Sequence, residues 1–236
     1  MKIIGISGRK QAGKNTAANY ITGNILSSRD MVEDFRVNTE GKLEIKTTNK
    51  RNEKAWGVFD PTRKDLEFIE YAENNLWPYT KIYHFADQLK DLSIKLMGFP
   101  PEKVYGSDKQ KNSKINVLWE TMAENTEGKK GRMTIREFLQ HFGTNVMRKM
   151  KDDIWVKATI NKIISENSEV AIIPDVRFPN EVEAIRDNGG IVLRLTRDIF
   201  RDKHKCESSL DKSVFDWSNF DYVVENSECS VEDMCK

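Results

Sequence analysis

A short apolar strand that runs into a glycine-rich loop and then a helix constrains this chain more than any other feature. Residues 2–16 read Lys-Ile-Ile-Gly-Ile-Ser-Gly-Arg-Lys-Gln-Ala-Gly-Lys-Asn-Thr. Gly8, four intervening residues, Gly13 and Lys14 have the spacing of a phosphate-binding loop. Ile3, Ile4 and Ile6 supply the strand before it, and Ala17, Ala18, Tyr20 and Ile21 the helix after it. Two glycines let successive backbone N–H groups converge on an oxyanion, and the helix opening near Lys14 adds its positive end. The Lys14 ammonium is then placed to span the β- and γ-phosphates of a nucleotide. The position after the lysine, where a hydroxyl usually meets magnesium, is Asn15, and the hydroxyl comes one place later at Thr16. An amide at Asn15 reads as a partner for a metal-bound water or a substrate phosphate, and Thr16 as a hydroxyl toward the α-phosphate.

A chain of 236 residues fits one domain with insertions, or one core domain with a small mobile lobe, and 38% hydrophobic content suffices for a core. Lys and Arg total 38 against 37 Asp and Glu, and no long basic block appears. That balance suits a small phosphorylated ligand better than direct nucleic-acid binding. The lysine-rich pieces, Lys109 to Lys114 and Lys129 to Arg132, read as solvated loops. No apolar run reaches membrane-span length and no signal-peptide pattern precedes the first strand, so a cytoplasmic protein is expected. Cys206, Cys229 and Cys235 lack paired metal-ligand spacing and are expected to be free thiols.

Along the chain, residues 28–80 form a polar insertion in which Lys42–Lys46 and Trp56–Phe59 alternate as a hairpin, followed by a short amphipathic helix over Asp65–Asn75. A core strand is expected over Lys81–Ala86, with Asp87 capping the next helix. Residues 98–132 read as a mobile polar excursion anchored by Trp119. Thr134-Ile-Arg-Glu137 is a capping box that opens a helix, which Gly143-Thr144 interrupts before a piece ending at Met150. Another helix follows over Asp153–Ser165. Residues 98–165 thus read as a helical substrate-binding and lid region. The last third alternates strand Val170–Ile173, helix Asn180–Asn188, strand Ile191–Leu195, strand Asp221–Val224 and a short terminal helix. Such alternation predicts an α/β fold with a five-stranded parallel sheet flanked by helices. Ligands of such sheets bind beyond the carboxyl ends of the strands, where Gly8, Asp87, Asp175 and Arg197 should share one edge.

Asp175 and Arg177 directly follow an apolar strand. They read either as a structural ion pair or as a carboxylate that holds magnesium through water and a guanidinium that forks onto phosphate. Glu181 reads as a ligand or as a helix-dipole partner. Arg136, Gln140, Gly143 and Thr144 fall at spacings of four and three, which keeps one helical face turned the same way; they read either as simply exposed or as suited to a monophosphate and a base edge. Trp155 reads as core. Arg194, Arg197 and Arg201 surround the end of a strand where a closing lid would deliver positive charge, Arg194, within the strand, reading either as one of these or only as a surface residue. His204 and Glu207 lack the spacing of a metal site.

The order of these motifs resembles the bacteriophage deoxynucleoside monophosphate kinases. The likeness rests on residues 7–16, Phe-Ala-Asp-Gln-Leu-Lys-Asp at 85–91, Ile-Arg-Glu-Phe-Leu-Gln-His-Phe-Gly-Thr at 135–144, Trp155-Val-Lys, Pro-Asp-Val-Arg at 174–177 and His204-Lys-Cys-Glu. It implies a P-loop kinase of one domain, residues 1–236, that moves the γ-phosphoryl of ATP, with Mg2+, onto a deoxynucleoside monophosphate and so supplies precursors for DNA synthesis. It implies Gly8, Lys10, Ala12, Gly13, Lys14, Asn15, Thr16 and Arg197 on the ATP side. On the acceptor side it implies Arg136, Gln140, Gly143, Thr144, Trp155, Asp175, Arg177 and Glu181. Lys14, Arg136, Asp175 and Arg177 would carry catalysis, with magnesium near Asn15 and Asp175. A homodimer is a further expectation, and the location is the host cytoplasm if a phage encodes the chain. Asn15, Glu137 and Cys206 depart from the Asp, the second basic residue and the Ser or Thr that relatives carry. Another small-molecule kinase of the same fold, such as a dephospho-coenzyme A kinase, and an NTP-binding switch or nucleic-acid-associated ATPase are the competing readings.

Overall fold

Alternation of apolar strands with amphipathic helices folds here as an open parallel sheet. The structure, a computed structural model, describes residues 1–48, 52–198 and 208–234. Its first elements are β1 (Lys2–Ser7), α1 (Lys14–Ser28), β2 (Phe35–Val37), β3 (Leu43–Thr48), β4 (Lys54–Val58), α2 (Leu66–Asn75) and β5 (Thr80–Ile82). Then come α3 (Asp87–Met97), α4 (Pro101–Val104), α5 (Asp108–Lys111), β6 (Lys114–Leu118), β7 (Arg132–Thr134), α6 (Ile135–Gln140) and α7 (Arg148–Met150). The chain continues through α8 (Ile154–Glu166), β8 (Val170–Val176), α9 (Pro179–Asp187), β9 (Ile191–Leu195), β10 (Tyr222–Val224) and α10 (Val231–Met234). Two units divide it, one of Met1–His84 with Ile160–Lys236 and the other of Phe85–Thr159. Among the described residues no helix is long and apolar enough to cross a membrane.

In the first unit the strand order is β10-β9-β1-β8-β5, and every pairing is parallel. Ile3, Ile6, Ile172 and Ile173 are at most 1% exposed, each worth about 2 kcal/mol of transfer free energy. Chain order reverses beside β1, since β5 and β8 lie on one side and β9 and β10 on the other. The glycine loop therefore leaves the sheet at its switch point, the place where such folds bind ligands. The expected strand 81–86 is paired only over Thr80–Ile82, with Tyr83 N still donating to Ile172 O at 2.8 Å. Insert residues 35–58 form an antiparallel sheet β2-β3-β4, one strand more than a hairpin. Phe35 supplies the reason, because its ring packs on Gly23 of α1, where a Cβ would lie 2.2 Å from it. Leu43 joins Leu26, Phe68, Ala72 and Leu76 in a core beneath the insert.

The second unit has its own core. Phe99, Val104, Ile115, Trp119, Met133, Ile135 and Phe138 are buried together, so the segment expected as a polar excursion folds around apolar side chains scattered along it. Those residues lie in single turns and in the two-stranded β6–β7 sheet, too short to show a period. Asp87, expected as a cap, is the first residue of α3, and Ala86 holds the capping position. Gly143-Thr144 does not break its helix. The chain widens into a π-helical segment, His141–Met147, that joins α6 to α7.

Candidate active site

The phosphate loop is set by close packing on both sides. A Cβ at Gly8 would lie 3.0 Å from Ala12 Cβ and 3.2 Å from Leu195 Cβ, and Gly13 takes φ +95° as it starts α1. That left-handed conformation is open to glycine and strained for other residues. Lys14 Nζ donates to Gly8 O at 2.6 Å and Arg9 O at 2.7 Å, so the ammonium folds back across the loop that a phosphate would enter. Ala12 is fully buried, whereas Lys10 and Asn15 are exposed. Thr16 turns its hydroxyl toward the insert, where a Cβ on Gly41 would lie 2.4 Å from its Oγ1. Asn19 on the same helix donates from Nδ2 to Gly41 O at 2.8 Å. A cleft of about 380 Å³ opens here, lined by Asn15, Asn19, Lys42, Phe59, His84 and Pro174 among others. Insert residues 40–43 and 58–62 thus wall one side of it, a placement the sequence did not reveal.

Asp175 and Arg177 leave the neighbouring strand through an irregularity. Gly5 pairs with Ile173 and Ser7 with Val176, so Pro174 and Asp175 face the single residue Ile6. Proline cannot donate to the ladder, and a bulge of this kind re-aims the next side chain. Glu181 is 2% exposed, and its Oε2 accepts from the backbone N–H of Arg177 at 2.7 Å and of Phe178 at 3.1 Å. Its carboxylate holds the Asp175–Arg177 loop to the start of α9.

Beyond β9, Arg197 donates from Nε to Asn226 O at 3.0 Å and from Nη2 to Cys229 O. Arg194 is 4% exposed, which excludes the surface alternative. It donates from Nη1 to Ser7 Oγ at 3.0 Å and pairs with Asp211, which Arg9 also binds. Asp211 was missed by the sequence reading, since no motif marks a carboxylate that faces two arginines more than a dozen residues away along the chain. Arg201, His204, Cys206, Glu207 and Cys235 lie outside the described residues, while Cys229 is a free thiol.

In the second unit the capping box is present. Thr134 Oγ1 accepts from Glu137 N at 3.1 Å, and Glu137 Oε2 accepts from Thr134 N at 2.7 Å. This fixes the first turn of α6, from which Arg136 extends to Asp108 Oδ1 at 2.6 Å. Gln140 and Thr144 are exposed. Gly143 is buried under Leu89, whose Cδ2 would lie 2.5 Å from a Cβ there. Trp155 is 6% exposed and donates from Nε1 to Gly143 O at 3.0 Å. Lys111 is partly buried, which corrects its placement in a solvated loop. Burial, with Lys90 and Arg136 as like-charged neighbours, lowers its pKa below that of an ordinary lysine, and Asp108 offsets part of the effect. Lys90 and Lys111 therefore join Arg136 in a cationic group that the sequence did not single out. The one available signal was Lys90 standing a helical turn after Asp87, whose Oδ1 it meets at 3.2 Å.

Comparison with known proteins bears on both halves. Enterobacteria phage T4 deoxynucleotide monophosphate kinase is 26% identical over 225 residues, covering 89% of this chain and 88% of that protein. A protein of Acanthamoeba polyphaga mimivirus, which carries the same name provisionally, is 27% identical over 158 residues, covering 61% of this chain and 74% of its own length. The family described as deoxynucleotide monophosphate kinase matches residues 2–236. With the phosphate loop at the switch point of a five-stranded parallel sheet, that match over nearly the whole length means the chain belongs to the deoxynucleotide monophosphate kinase family, a family of phosphotransferases.

Proposed function

We propose that this chain transfers the γ-phosphoryl group of ATP to a deoxynucleoside monophosphate, yielding ADP and the diphosphate, and that residues 1–236 act as one kinase domain. The observation that carries the donor side is the Lys14 ammonium drawn across Gly8 O and Arg9 O, the position from which it would exchange loop carbonyls for phosphate oxygens. Such transfer asks little covalent chemistry of the protein, because the acceptor phosphate is already a nucleophile. Placement and charge stabilisation carry the rate. Lys14 stabilises charge on the transferred group, and Arg177 holds the acceptor oxygens, its backbone fixed by Glu181. In the second unit Arg136 with Lys90 and Lys111 binds the monophosphate. Gln140 and Thr144, both exposed, receive the nucleoside, and Gly143, held by Trp155, shapes the surface between them.

Magnesium fits the donor set. Among the described residues no group of three or more His, Cys, Asp or Glu side chains is arranged to hold a metal. Mg2+ at a nucleotide, however, takes one or two protein oxygens and completes its shell from phosphate and water. Asp175, beside the bulge, and the Asn15 amide would supply those oxygens. When bound, the ion would neutralise charge on the transferring phosphates. A coupled ADP-release assay across dGMP, dTMP, dCMP, dAMP, the ribonucleotides and dephospho-coenzyme A tests this reading. ADP release on adding a deoxynucleoside monophosphate supports it, and release with dephospho-coenzyme A alone opposes it.

A further inference from the structure

We infer that Asn226 is a positioning residue for the donor nucleotide, one that fixes the direction of a phosphate-loop N–H from behind. The inference rests on the donor reading above. Asn226 follows β10 and is fully buried, at 0% exposure. Its Nδ2 donates to Ala12 O at 2.8 Å, and its Oδ1 accepts from Arg197 N at 2.9 Å. Its main chain is used as well, with N donating to Thr196 Oγ1 at 3.3 Å and O accepting from Arg197 Nε at 3.0 Å. One short planar amide thereby joins the phosphate loop to the chain that leaves β9.

The Ala12 carbonyl and the Gly13 N–H belong to the same peptide plane and, in a trans peptide, point in opposite directions. A hydrogen bond that grips the carbonyl therefore aims the N–H, which is one of the loop amides available to an anion. Gly13 itself, at φ +95°, has little room on this side, since a Cβ would lie 3.1 Å from Met234 Sδ and 3.8 Å from Asn226 Nδ2. Residue chemistry makes the position selective. Aspartate keeps the size but presents an acceptor to the Ala12 carbonyl. Serine is too short to serve both partners. Only an amide gives a donor and an acceptor at this spacing.

The test compares ATP and acceptor kinetics in Asn226→Asp and Asn226→Ser, with Ile163→Val as a core variant that lowers the melting temperature without touching the loop. The expected result is an ATP KM raised tenfold or more in both Asn226 variants, an acceptor KM within twofold of wild type, and neither KM moved in Ile163→Val. If Asn226→Asp does not fold, Asn226→Ser is read in the same way. An ATP KM within twofold of wild type in a folded Asn226 variant, or ATP and acceptor KM rising together, overturns the inference. Lys14→Ala, assayed alongside, separates the two claims. Near-normal turnover in that variant removes the donor reading itself, whereas a dead Lys14→Ala with unaltered Asn226 variants removes only the clamp.

Discussion

The indole Nε1 of Trp155 donates to Gly143 O at 3.0 Å, and the Arg148 N–H reaches the same oxygen as the chain passes through its π-helical segment. A side chain that reads as plain core thus holds the widened turn to which Gly143 and Thr144 belong. Trp155→Phe removes the donor while keeping a ring. A loss of about 1 kcal/mol is expected, read as a melting temperature lower by roughly 2–4 °C for a chain of this size. The acceptor KM should rise several-fold while the ATP KM stays put. Thermal melts with two-substrate kinetics check both, and an ATP KM that moves with the acceptor KM counts against a local role.

Lys111 gives a pH signature. Burial and the like charges of Lys90 and Arg136 lower its pKa, so in the free enzyme it loses its proton at a pH below the ordinary lysine range. The protonated form is the one that attracts a phosphate, so kcat/KM for the acceptor should fall as pH rises through that lowered value. Arginine stays charged throughout, and Lys111→Arg should abolish this alkaline limb. The stability effect has the opposite sign. The unfolded chain binds the proton more readily, so Lys111 disfavours folding at low pH, and the penalty is relieved as pH rises above its folded pKa. An unchanged alkaline limb in Lys111→Arg excludes it from acceptor binding.

Gly41 is constrained twice, by φ +77° and by Thr16 Oγ1, 2.4 Å from where its Cβ would stand. Gly41→Ala is expected to cost about 2 kcal/mol or more, backbone strain and contact together. In a Thr16→Ala background the contact share disappears and the strain remains, so the two changes should couple by about 1 kcal/mol in a denaturation cycle. Strictly additive losses would place the insert turn away from the phosphate-loop helix.

How much of this was legible in the sequence follows from the range of each interaction. The phosphate loop, the parallel sheet and the capping box of α6 are local patterns, and Gly8, Lys14, Thr134 and Glu137 state them directly. Burial of Glu181 and its hold on the Arg177 N–H are also local, but a carboxylate in a first helical turn has two meanings and only geometry separates them. Asp211 with Arg9, and Asn226 with Ala12, join residues about two hundred positions apart, which no periodicity reports. The core of residues 99–138 was hidden because its apolar side chains sit in short turns. Lys111 was misplaced because a charge run reads as solvated whenever the surface that covers it is out of sight.

The most direct test of donor-site assignment is ATP-dependent phosphorylation of a deoxynucleoside monophosphate by Lys14→Ala, with folding verified by its melting temperature. Removing one preorganised cationic donor at the transferred group should cost on the order of 10²–10³ in kcat. A folded Lys14→Ala protein that has lost turnover by that factor is the predicted result. Phosphorylation at a near-normal rate in the same protein would contradict it.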